Sequence, residues 1–468
     1  MKRLLFFIVL LAVGIPALGQ KPAQPASIVV DPAVAVGPIR DMHGVNNAPY
    51  GAMSKWYKAA KIPYMRPHDA THATTYGGDH TIDITGIFPD FSKDENDPAS
   101  YDFHYSDETI ARTLSAGTKI LYRLGQSIEH GTKKYGAYPP ADYEKWARIC
   151  EHVIRHFNEG WANGHHWNIR YWEIWNEPDI DTPNDRWKTD PRMWGGPAEE
   201  FYKFYCIAAK HLKKCFPDLM IGGPAVTGSI EKQSQMDWLT GFFEAVAKEK
   251  APMDFFSWHS YVHDPAQLLR RNHLIDSTMA AHGFADVESI LDEWNYVIQW
   301  SETSPESARA RFTEKAAALI AAFMITAQNE TRISKLMFYD FRPSTTYNNV
   351  LDPVDGKPLR SYFPFLIWSK LAEYGTAVKV EVNEPNCYVT AARSPKGKLR
   401  IFVCRYTYDS NDVYSKELSL KVEGRKLEET TAFITDSHFL HTAYPVPADK
   451  NGRLRIYLEP RAFMMLEL

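Results

Sequence analysis

Cysteine is scarce in this sequence, and long hydrophobic runs are missing beyond its first residues. The five cysteines, Cys150, Cys206, Cys215, Cys387 and Cys404, are odd in number and follow no zinc-binding spacing. A chain of 468 residues can be stable without disulfides, so no disulfide framework is expected. The sequence does not decide whether Cys387 and Cys404 form a disulfide bond. No later segment offers the ~20 uninterrupted apolar residues that a membrane-spanning helix needs.

An excess of one charge and glycine-rich phosphate loops are also missing. With 53 Lys+Arg and 57 Asp+Glu the formal net charge is −4, which gives no reason to expect binding to nucleic acid or to an anionic membrane. No G-x-G-x-x-G motif is present, which argues against a doubly wound dinucleotide-binding sheet. Aromatic residues make up 13% of the chain, and such side chains fill cores or stack on sugars.

The first residues carry the pattern of an export signal. Residues 1–3 supply two positive charges, an apolar run spans residues 4–15, and small residues precede Gln20. This pattern predicts a signal peptide over residues 1–19 that is cleaved before Gln20. We therefore expect a secreted or periplasmic protein, in which residues 20–42 form a spacer and one strand.

Short apolar runs alternate with longer helical patterns over residues 43–374. The strand candidates are Gly44–Asn46, Tyr64–Arg66, Lys119–Leu124, Ile169–Trp175, Met220–Gly223, Phe255–His259, Ser289–Asp292 and Lys335–Tyr339. The helix candidates are Ala52–Ala60, Asp107–Ala116, Asp142–Phe157, Ala198–Cys215, Met236–Lys250, Gln267–His282, Glu306–Gln328 and Tyr362–Glu373. Eight strands that are each followed by a helix predict an α/β fold, a (β/α)8 TIM barrel that forms the catalytic domain.

The pattern changes after residue 374. Short alternating apolar stretches separated by turn signals fill residues 375–468 and predict a C-terminal antiparallel β-sandwich module. The stretches are Leu399–Cys404, Leu418–Val422, Thr431–Ile434 and Leu454–Leu458. The segment Ile28–Val36 also has a strand pattern, and we expect it to pair with this module.

The active site of a barrel of this kind lies at the carboxyl ends of its strands. The fourth strand candidate leads into Glu177 and the seventh into Glu293. Two carboxyl groups about 5–5.5 Å apart are what a retaining glycosidase needs, one as acid and one as nucleophile. By the alternation of side chains, Glu173 lies on the side of Glu177 but deeper, as an internal hydrogen-bonding partner. The same rule puts Asp292 on the side opposite Glu293.

Neighbouring side chains supply further candidates. His259 and Tyr261, at the sixth strand, are expected to donate hydrogen bonds that keep the nucleophile ionised. Three tryptophans are predicted to exclude water from the acid and to offer their faces to a sugar ring. They are Trp172, Trp175 and Trp294.

A polar segment after the second strand leaves two interpretations open. His68, Asp69 and His72 combine residue types that bind metal ions. The His-x-His pair common on the first strand of metal-dependent barrel hydrolases is missing, which favours contacts between these side chains and substrate. No residue is therefore predicted as a metal ligand.

These motifs resemble those of glycoside hydrolase family 39, a group of retaining (β/α)8-barrel enzymes that includes β-xylosidases and α-L-iduronidases. The matching stretches are Ile87–Phe103, Trp175–Asp179 (Trp-Asn-Glu-Pro-Asp), Trp258–Tyr261 (Trp-His-Ser-Tyr) and Leu291–Asn295 (Leu-Asp-Glu-Trp-Asn). The resemblance extends over most of the chain, because a C-terminal β-sandwich is also a feature of the family.

The resemblance implies a role for each matching residue. Glu177 would be the general acid/base, Glu293 the nucleophile, and Asn176 the ligand of the sugar 2-hydroxyl. His259 and Tyr261 would line the −1 subsite, which holds the sugar whose glycosidic bond is cleaved. The family's strand-two polar cluster is matched only loosely, by Arg66, His68 and Asp69.

The implied activity is O-glycosyl hydrolysis of the EC 3.2.1 type, with oligosaccharides or polysaccharides as substrates. A β-xylosidase-type enzyme without a cofactor is expected. The iduronidase branch is disfavoured because it would need a pair of basic residues for the uronate carboxylate, and the sequence shows no clear pair of this kind. Other sugars stay open as alternatives: arabinosides, galactosides, glucosides or iduronides. A non-catalytic carbohydrate-binding protein and a metal-dependent barrel hydrolase are the alternatives of other classes. Linkage, exo or endo action and oligomeric state do not follow from the sequence.

Overall fold

A computed structural model describes most of the chain outside its N-terminus. The described residues are 26–49, 51–69, 81–129, 132–298, 305–342 and 347–468. The predicted signal peptide at residues 1–19 and the candidate His72 lie outside these residues and stay predictions.

The strands and helices follow one another along the chain as the periodicities predict, with small shifts at their ends. The strands are β1 Ser27–Pro38, β2 Asp41–Asn46, β3 Tyr64–Arg66, β4 Lys119–Leu124, β5 Tyr171–Ile174, β6 Met220–Val226, β7 Phe255–Val262, β8 Glu288–Tyr296, β9 Lys335–Phe338, β10 Thr376–Val382, β11 Cys387–Arg393, β12 Leu399–Tyr406, β13 Lys416–Val422, β14 Thr430–Thr435, β15 Thr442–Val446, β16 Leu454–Leu458 and β17 Arg461–Glu467. The helices are α1 Ser54–Ala59, α2 Ile84–Ile87, α3 His104–Ser115, α4 Tyr143–Glu159, α5 Ala198–Cys215, α6 Gln233–Glu249, α7 Pro265–Ala281, α8 Pro305–Arg311, α9 Glu314–Glu330 and α10 Phe363–Tyr374.

Strands β2 to β9 form a closed barrel in chain order. Each strand pairs in parallel with the next, and β9 pairs in parallel with β2. This confirms the predicted (β/α)8 barrel. All carboxyl ends of the strands therefore meet at one face, where side chains from distant parts of the sequence come together.

Helix α4 shows how local sequence sets an element. The Asp142 side chain accepts a hydrogen bond from the Lys145 backbone N–H, which satisfies a donor of the first turn. Gly160 follows the last turn with a φ of 80°, a conformation that favours glycine. The buried side chains of α4 follow helical spacing, and they are Trp146, Ala147, Ile149, Cys150, Val153, Ile154, His156 and Phe157.

One helix prediction is wrong in its continuity. The pattern over Glu306–Gln328 predicts a single helix, whereas the structure contains two, α8 and α9, separated at residues 312–313. The Thr313 hydroxyl accepts a hydrogen bond from the Lys315 backbone N–H and starts α9 afresh. A side-chain cap thus competes with continuation of the helix.

The C-terminal module is a sheet of nine strands in the order β15-β14-β17-β12-β11-β10-β1-β13-β16. The prediction of an antiparallel module is confirmed, with one exception: β1 pairs antiparallel with β10 but parallel with β13. Side chains from both ends of the sheet pack into one apolar cluster, among them Ile434 and Val446 at one end and Leu420 and Ile456 at the other. The sheet therefore curls over a core of its own.

The opposite face of this sheet packs against the barrel. Phe402, Cys404 and Met465 belong to the same buried cluster as the helices α9 and α10. Cys387 instead belongs to the core of the curled sheet. The two cysteines stand on opposite faces of neighbouring strands, and all five cysteines are free thiols. The Cys387–Cys404 bridge that the sequence left open is therefore absent.

Within the described residues, none of the helices combines the length and the apolarity needed to cross a bilayer.

Candidate active site

Arg66, the last residue of β3, organises the carboxyl end of the barrel. Its side chain is fully buried, and its Nε lies 2.7 Å from Glu173 Oε2 and 3.0 Å from Asp292 Oδ2. Its Nη1 donates to Glu293 Oε1 at 2.7 Å and its Nη2 to Asn176 Oδ1 at 2.7 Å. Burial alone would lower the pKa of Arg66, but the surrounding carboxyl groups raise it above its ordinary value. The guanidinium thus stays charged and holds four strand-end side chains in fixed positions.

Asp292 departs from the alternation that the sequence predicts. The register of β8 with β9 shifts between Leu291 and Trp294, which is the signature of a β-bulge. The extra residue lets Asp292 and Glu293 both reach Arg66, at 3.0 Å and 2.7 Å. The expectation that Asp292 faces away from Glu293 is therefore wrong.

Asp292 and Glu173 share a proton in the barrel interior. Burial raises the pKa of Asp292 well above its ordinary value, and the neighbouring Glu173 carboxylate raises it further. Burial also acts to raise the pKa of Glu173, but Arg66 and hydrogen bonds from Asp292 and Ser257 bring it below its ordinary value. The two shifts have opposite directions, and they favour the ionised form of Glu173 and the neutral form of Asp292 beside Arg66.

Glu293, in the bulged part of β8, is held at both oxygens. Arg66 Nη1 donates to Oε1 and the Tyr261 hydroxyl donates to Oε2, each at 2.7 Å. His259 Nδ1 lies 3.5 Å from Oε2, and His68 Nε2 lies 3.7 Å from Oε1. Burial raises the pKa of Glu293 above its ordinary value, although Arg66 and the Tyr261 hydroxyl oppose that shift. Two strong donors fix the carboxylate in one orientation and stabilise its ionised form.

Glu177 lies in a tight turn after β5. Its φ is 44° and that of Trp175 is 77°, both in the left-handed region that non-glycine residues rarely occupy. The Glu177 backbone N–H donates to the Ala225 carbonyl oxygen at 2.9 Å, and Ala225 itself has a φ of 57°. Strained backbone of this kind clusters at functional sites, where the surrounding structure holds it in place.

The Glu177 carboxyl group has a strongly shifted acidity. Burial raises its pKa to about 7, against opposing effects of Arg192 and Arg66. His259 Nδ1 lies 2.7 Å from Glu177 Oε1, and burial lowers the pKa of His259 to about 4. His259 is therefore neutral at pH 7 and brings no positive charge to Glu177, which, being buried, keeps a proton at neutral pH far more readily than an exposed glutamate.

Glu177 and Glu293 face each other across His259. One oxygen of each glutamate and a ring nitrogen of His259 all lie within 4.8 Å of one another. Oxygens this near each other fit the about 5–5.5 Å between the two carboxyl groups of retaining glycosidases, in which both groups reach the same sugar carbon or its leaving oxygen. The two glutamates that the sequence singled out are brought together in one buried site.

The remaining predicted polar residues lie around this pair. Asn176 accepts from Arg66, and its Nδ2 is buried without a hydrogen-bond partner among the described residues, which leaves a donor for a ligand. His68 Nδ1 lies 3.4 Å from Arg66 Nη1, and burial lowers the pKa of His68 well below its ordinary value. Asp69 lies next to His68, with Oδ1 3.7 Å from His68 Nε2.

The prediction that tryptophan faces are offered to a sugar is wrong. Trp172 and Trp294 are 0% exposed and Trp175 is 1% exposed. Trp294 stacks on Phe323 of α9 with ring centroids 4.3 Å apart, because the bulge turns it outward. Trp175 donates from Nε1 to the Met193 carbonyl oxygen and packs between the barrel and α5. All three rings fill the layer between strands and helices; Trp172 packs there against Tyr122.

Sequence reasoning missed a second set of polar residues that hold Asp69. The Tyr339 hydroxyl donates to Asp69 Oδ2 at 2.6 Å, and Arg342 Nη2 lies 3.3 Å from the same oxygen. Asn47 Oδ1 accepts from the Asp69 backbone N–H at 2.8 Å. Asn47 and Tyr339 directly follow β2 and β9, so the rule that sites lie at strand ends could have found them.

The loop after Glu177 is tied down by two buried carboxylates. Asp179 accepts from both the backbone N–H and the hydroxyl of Thr227, at 2.9 Å and 2.5 Å. Asp181 Oδ2 accepts the backbone N–H groups of Arg192 and Met193 at 2.7 Å and 2.8 Å. These contacts fix the wall of the site beside Glu177.

The same site also offers a set of possible metal donors, Glu177, His259 and Glu293. Arg66, whose Nη1 lies 2.7 Å from Glu293 Oε1, already provides a positive charge at this carboxylate. A divalent cation there would be repelled by the guanidinium. The arrangement suits a carboxylic acid paired with a carboxylate, which can exchange protons with a substrate and attack it.

Residues 75–345 match the sequence profile of Glycosyl hydrolases family 39. A β-xylosidase from Geobacillus stearothermophilus is 28% identical over 189 residues, which cover 38% of this chain and 34% of that protein. A β-xylosidase from Caldicellulosiruptor saccharolyticus is 30% identical over 177 residues, which cover 36% of this chain and 32% of that protein. The chain thus spans about a third of the length of the curated relatives it matches.

The fold is also found in solved structures. A glucosidase from Croceicoccus marinus superposes with a TM-score of 0.73 at 21% sequence identity, over 95% of this chain and 99% of that one. The family match covers more than half of the 468 residues and includes both facing glutamates. The chain therefore belongs to glycosyl hydrolase family 39.

Proposed function

We propose that this protein is a retaining glycoside hydrolase that acts on β-xylosides. The observation that carries the proposal is the facing pair Glu177 and Glu293, with oxygens within 4.8 Å of each other. One member has its pKa raised to about 7, and the other accepts hydrogen bonds from Arg66 and Tyr261. Because the two environments differ in this way, Glu177 is assigned as the acid and Glu293 as the nucleophile.

In the first step Glu293 attacks the anomeric carbon of the sugar while the bond to the leaving oxygen breaks. Glu177 donates its proton to that oxygen, so the alcohol leaves neutral and a glycosyl ester forms on Glu293. In the second step the ionised Glu177 takes a proton from water, whose oxygen attacks the same carbon. Glu293 leaves as a carboxylate, and the sugar is released with its original anomeric configuration.

The residues around the pair support this chemistry. Asn176 Nδ2 is a buried donor without a partner among the described residues, and it suits a hydroxyl group beside the anomeric carbon. Arg66 holds both Asn176 and Glu293, so the hydroxyl donor and the nucleophile keep a fixed relative position. Such fixed geometry contributes to catalysis because no reorganisation is needed during the reaction.

The choice of β-xylose rests on the curated relatives. Both are β-xylosidases, at 28% and 30% identity. The similarity to the solved glucosidase, at 21% identity, supports the fold alone. The facing carboxyl groups favour a catalyst over a protein that only binds carbohydrate.

A panel of p-nitrophenyl glycosides tests the proposal. We expect the highest kcat/KM with the β-xyloside among the β-xyloside, α- and β-arabinosides, β-glucoside, β-galactoside and α-iduronide. Proton NMR during hydrolysis should show β-xylose as the first product, before mutarotation. α-Xylose as the first product would contradict the retaining mechanism. A higher kcat/KM with another glycoside would show that xylose is not the preferred sugar. No hydrolysis of any glycoside would favour a protein that only binds carbohydrate.

We expect kcat/KM to decrease on the alkaline side of its pH profile, with the decrease beginning near pH 7. The first step needs protonated Glu177, whose pKa is raised to about 7 by burial. Its protonated fraction decreases as the pH rises through that value, so kcat/KM should drop about tenfold per unit above it. Initial rates between pH 4 and 10 with xylobiose, whose leaving group needs the proton from Glu177, measure the profile. The alkaline fall should vanish in Glu177→Gln; its persistence there would assign it to another group.

A further inference from the structure

A second cluster of metal-binding residue types lies outside the active site. It consists of Asp107 on α3, His156 on α4 and His165 in the loop between α4 and β5. One donor atom of each lies within 4.8 Å of the other two. Asp107 Oδ1 is 2.9 Å from His156 Nε2 and 3.2 Å from His165 Nε2. Both imidazoles thus converge on the same carboxylate oxygen.

The tautomer of His156 leaves a lone pair facing this oxygen. His156 Nδ1 is 3.0 Å from the Trp161 carbonyl oxygen, which can only accept, so Nδ1 carries a hydrogen. In the neutral ring Nε2 is then an acceptor, and it faces the acceptor Asp107 Oδ1 at 2.9 Å. Two acceptors this close need a cation between them, a proton or a metal ion.

His165 points to the metal ion rather than the proton. Its Nε2 is buried and makes no hydrogen bond within the described residues, although it lies 3.2 Å from Asp107 Oδ1. A proton shared by His156 and Asp107 would leave this nitrogen unused. A metal ion would use all three donor atoms at once.

The spacing suits zinc. Tetrahedral zinc with bonds of about 2.0–2.1 Å holds its donor atoms about 3.3–3.4 Å apart. The two measured separations, 2.9 Å and 3.2 Å, need only a few tenths of an ångström of expansion. The Nδ1 contact of His156 with a backbone carbonyl is the outer contact that orients metal-binding histidines.

The rings are held in place before any ligand binds. His156 stacks on Phe103 with centroids 3.6 Å apart and an interplanar angle of 2°. His165 stacks on Trp167 at 3.7 Å and 6°. Gly164 permits the close approach of the loop, because a Cβ there would lie 2.7 Å from His156 Nδ1. The loop thus turns His165 toward Asp107 of α3 and His156 of α4.

We propose that Asp107, His156 and His165 form a structural zinc site that ties α3 to the loop after α4. Asp107 and His165 are 30% and 31% exposed at their side chains, so a water molecule completes the tetrahedron from solvent. The site is separate from the facing glutamates, and the proposal does not depend on the activity proposed above.

A neighbouring cluster provides the matched control. Glu151, His211 and Cys215 also lie close together. There Glu151 is paired with Arg155 at 2.8 Å, and burial raises the pKa of the Cys215 thiol. A guanidinium beside the carboxylate and a protonated thiol both oppose a cation, so this cluster is expected to bind zinc poorly.

The test uses the full chain, stripped of metal with a chelator and then dialysed. Titration with zinc chloride by calorimetry should show one tight site per chain. At a free zinc concentration of a hundred times Kd, Tm should rise by about 3–5 °C. Asp107→Asn and His165→Gln should each weaken binding at least about tenfold and abolish most of the rise in Tm. His166→Gln, at an exposed neighbouring position, and His211→Gln should bind zinc like the parent protein.

Three outcomes would overturn the proposal: no zinc binding by the stripped protein, binding unchanged in both Asp107→Asn and His165→Gln, or binding lost in His211→Gln. Cobalt supplies an independent readout, because ligation through Cys215 would add a thiolate charge-transfer band that a histidine–carboxylate site lacks. Activity is not part of the readout, so failure of the zinc site and failure of the proposed hydrolysis are distinguishable.

Discussion

Glu293→Gly is expected to lower kcat for an aryl β-xyloside by at least about 10⁴-fold, because no glycosyl ester can form without the carboxylate. The loss should appear with good and poor leaving groups alike, since every substrate needs the same nucleophile. Steady-state kinetics with p-nitrophenyl β-xyloside measure it. Wild-type activity in this variant, without additives, would remove Glu293 from the role.

Added azide gives this variant a distinctive product. Azide can enter the space left by the Glu293 side chain and attack the anomeric carbon from the same side as the missing carboxylate. The product should be the α-xylosyl azide, with the configuration inverted once, which NMR identifies. Formation of the β-azide instead would show that the residue removed was on the leaving-group side.

Asp292→Asn is the matched control for this experiment. Asp292 is the neighbouring buried carboxyl group, and burial raises its pKa well above its ordinary value, which favours the neutral form. An asparagine is neutral and of similar size, so kcat should fall by less than about tenfold, and azide should yield no xylosyl azide above the parent level. A loss in kcat as large as that of Glu293→Gly would show that activity needs any carboxyl group at the β-bulge, and would not single out Glu293 as the nucleophile.

Glu177→Gln should have the second largest effect, and the effect should depend on the leaving group. General acid catalysis contributes about 10²–10⁴-fold, so xylobiose and alkyl β-xylosides should lose that much in kcat/KM. Aryl β-xylosides with acidic phenols leave without a proton, and their kcat/KM should change little. A series of aryl β-xylosides measures the dependence as the slope of log(kcat/KM) against phenol pKa.

The second step gives an internal check on the same variant. Without Glu177 no base activates water, so the glycosyl ester on Glu293 should accumulate with activated substrates and lower KM. Azide needs no base, and it should restore turnover with formation of the β-xylosyl azide. The two azide products therefore distinguish the two glutamates within one assay. Equal losses for good and poor leaving groups would remove Glu177 from the acid role.

These expectations depend on how the buried charges are arranged. Arg66 faces Glu173 and Glu293, and Asp292 stays protonated. Glu177 lies beyond this group, beside a neutral His259. The nucleophile thus has a guanidinium at 2.7 Å, whereas the acid has the neutral imidazole of His259 at 2.7 Å. This difference in surroundings separates the chemical roles of two residues of the same type.

The fold was predictable because its signals are local. The alternation of short apolar runs with helical patterns fixed the order of strands and helices, and the barrel followed from their number. The ends of β5 and β8 placed Glu177 and Glu293 at the same face, since parallel strands share their carboxyl ends. Among the predicted helices, the one over Glu306–Gln328 departed from the periodicity, because a threonine cap starts α9 as a second helix.

The sequence by itself determined the barrel, the antiparallel character of the C-terminal module and the two glutamates, because periodicity and position along a strand are properties of neighbouring residues. Only the tertiary structure decided the orientation of Asp292 and Trp294, since a β-bulge breaks the strict alternation of side chains. It also decided the central place of Arg66, the acidity of Glu177 and the convergence of His156 and His165 on Asp107. Those features arise from burial and from contacts between residues far apart in the chain, which no local pattern records.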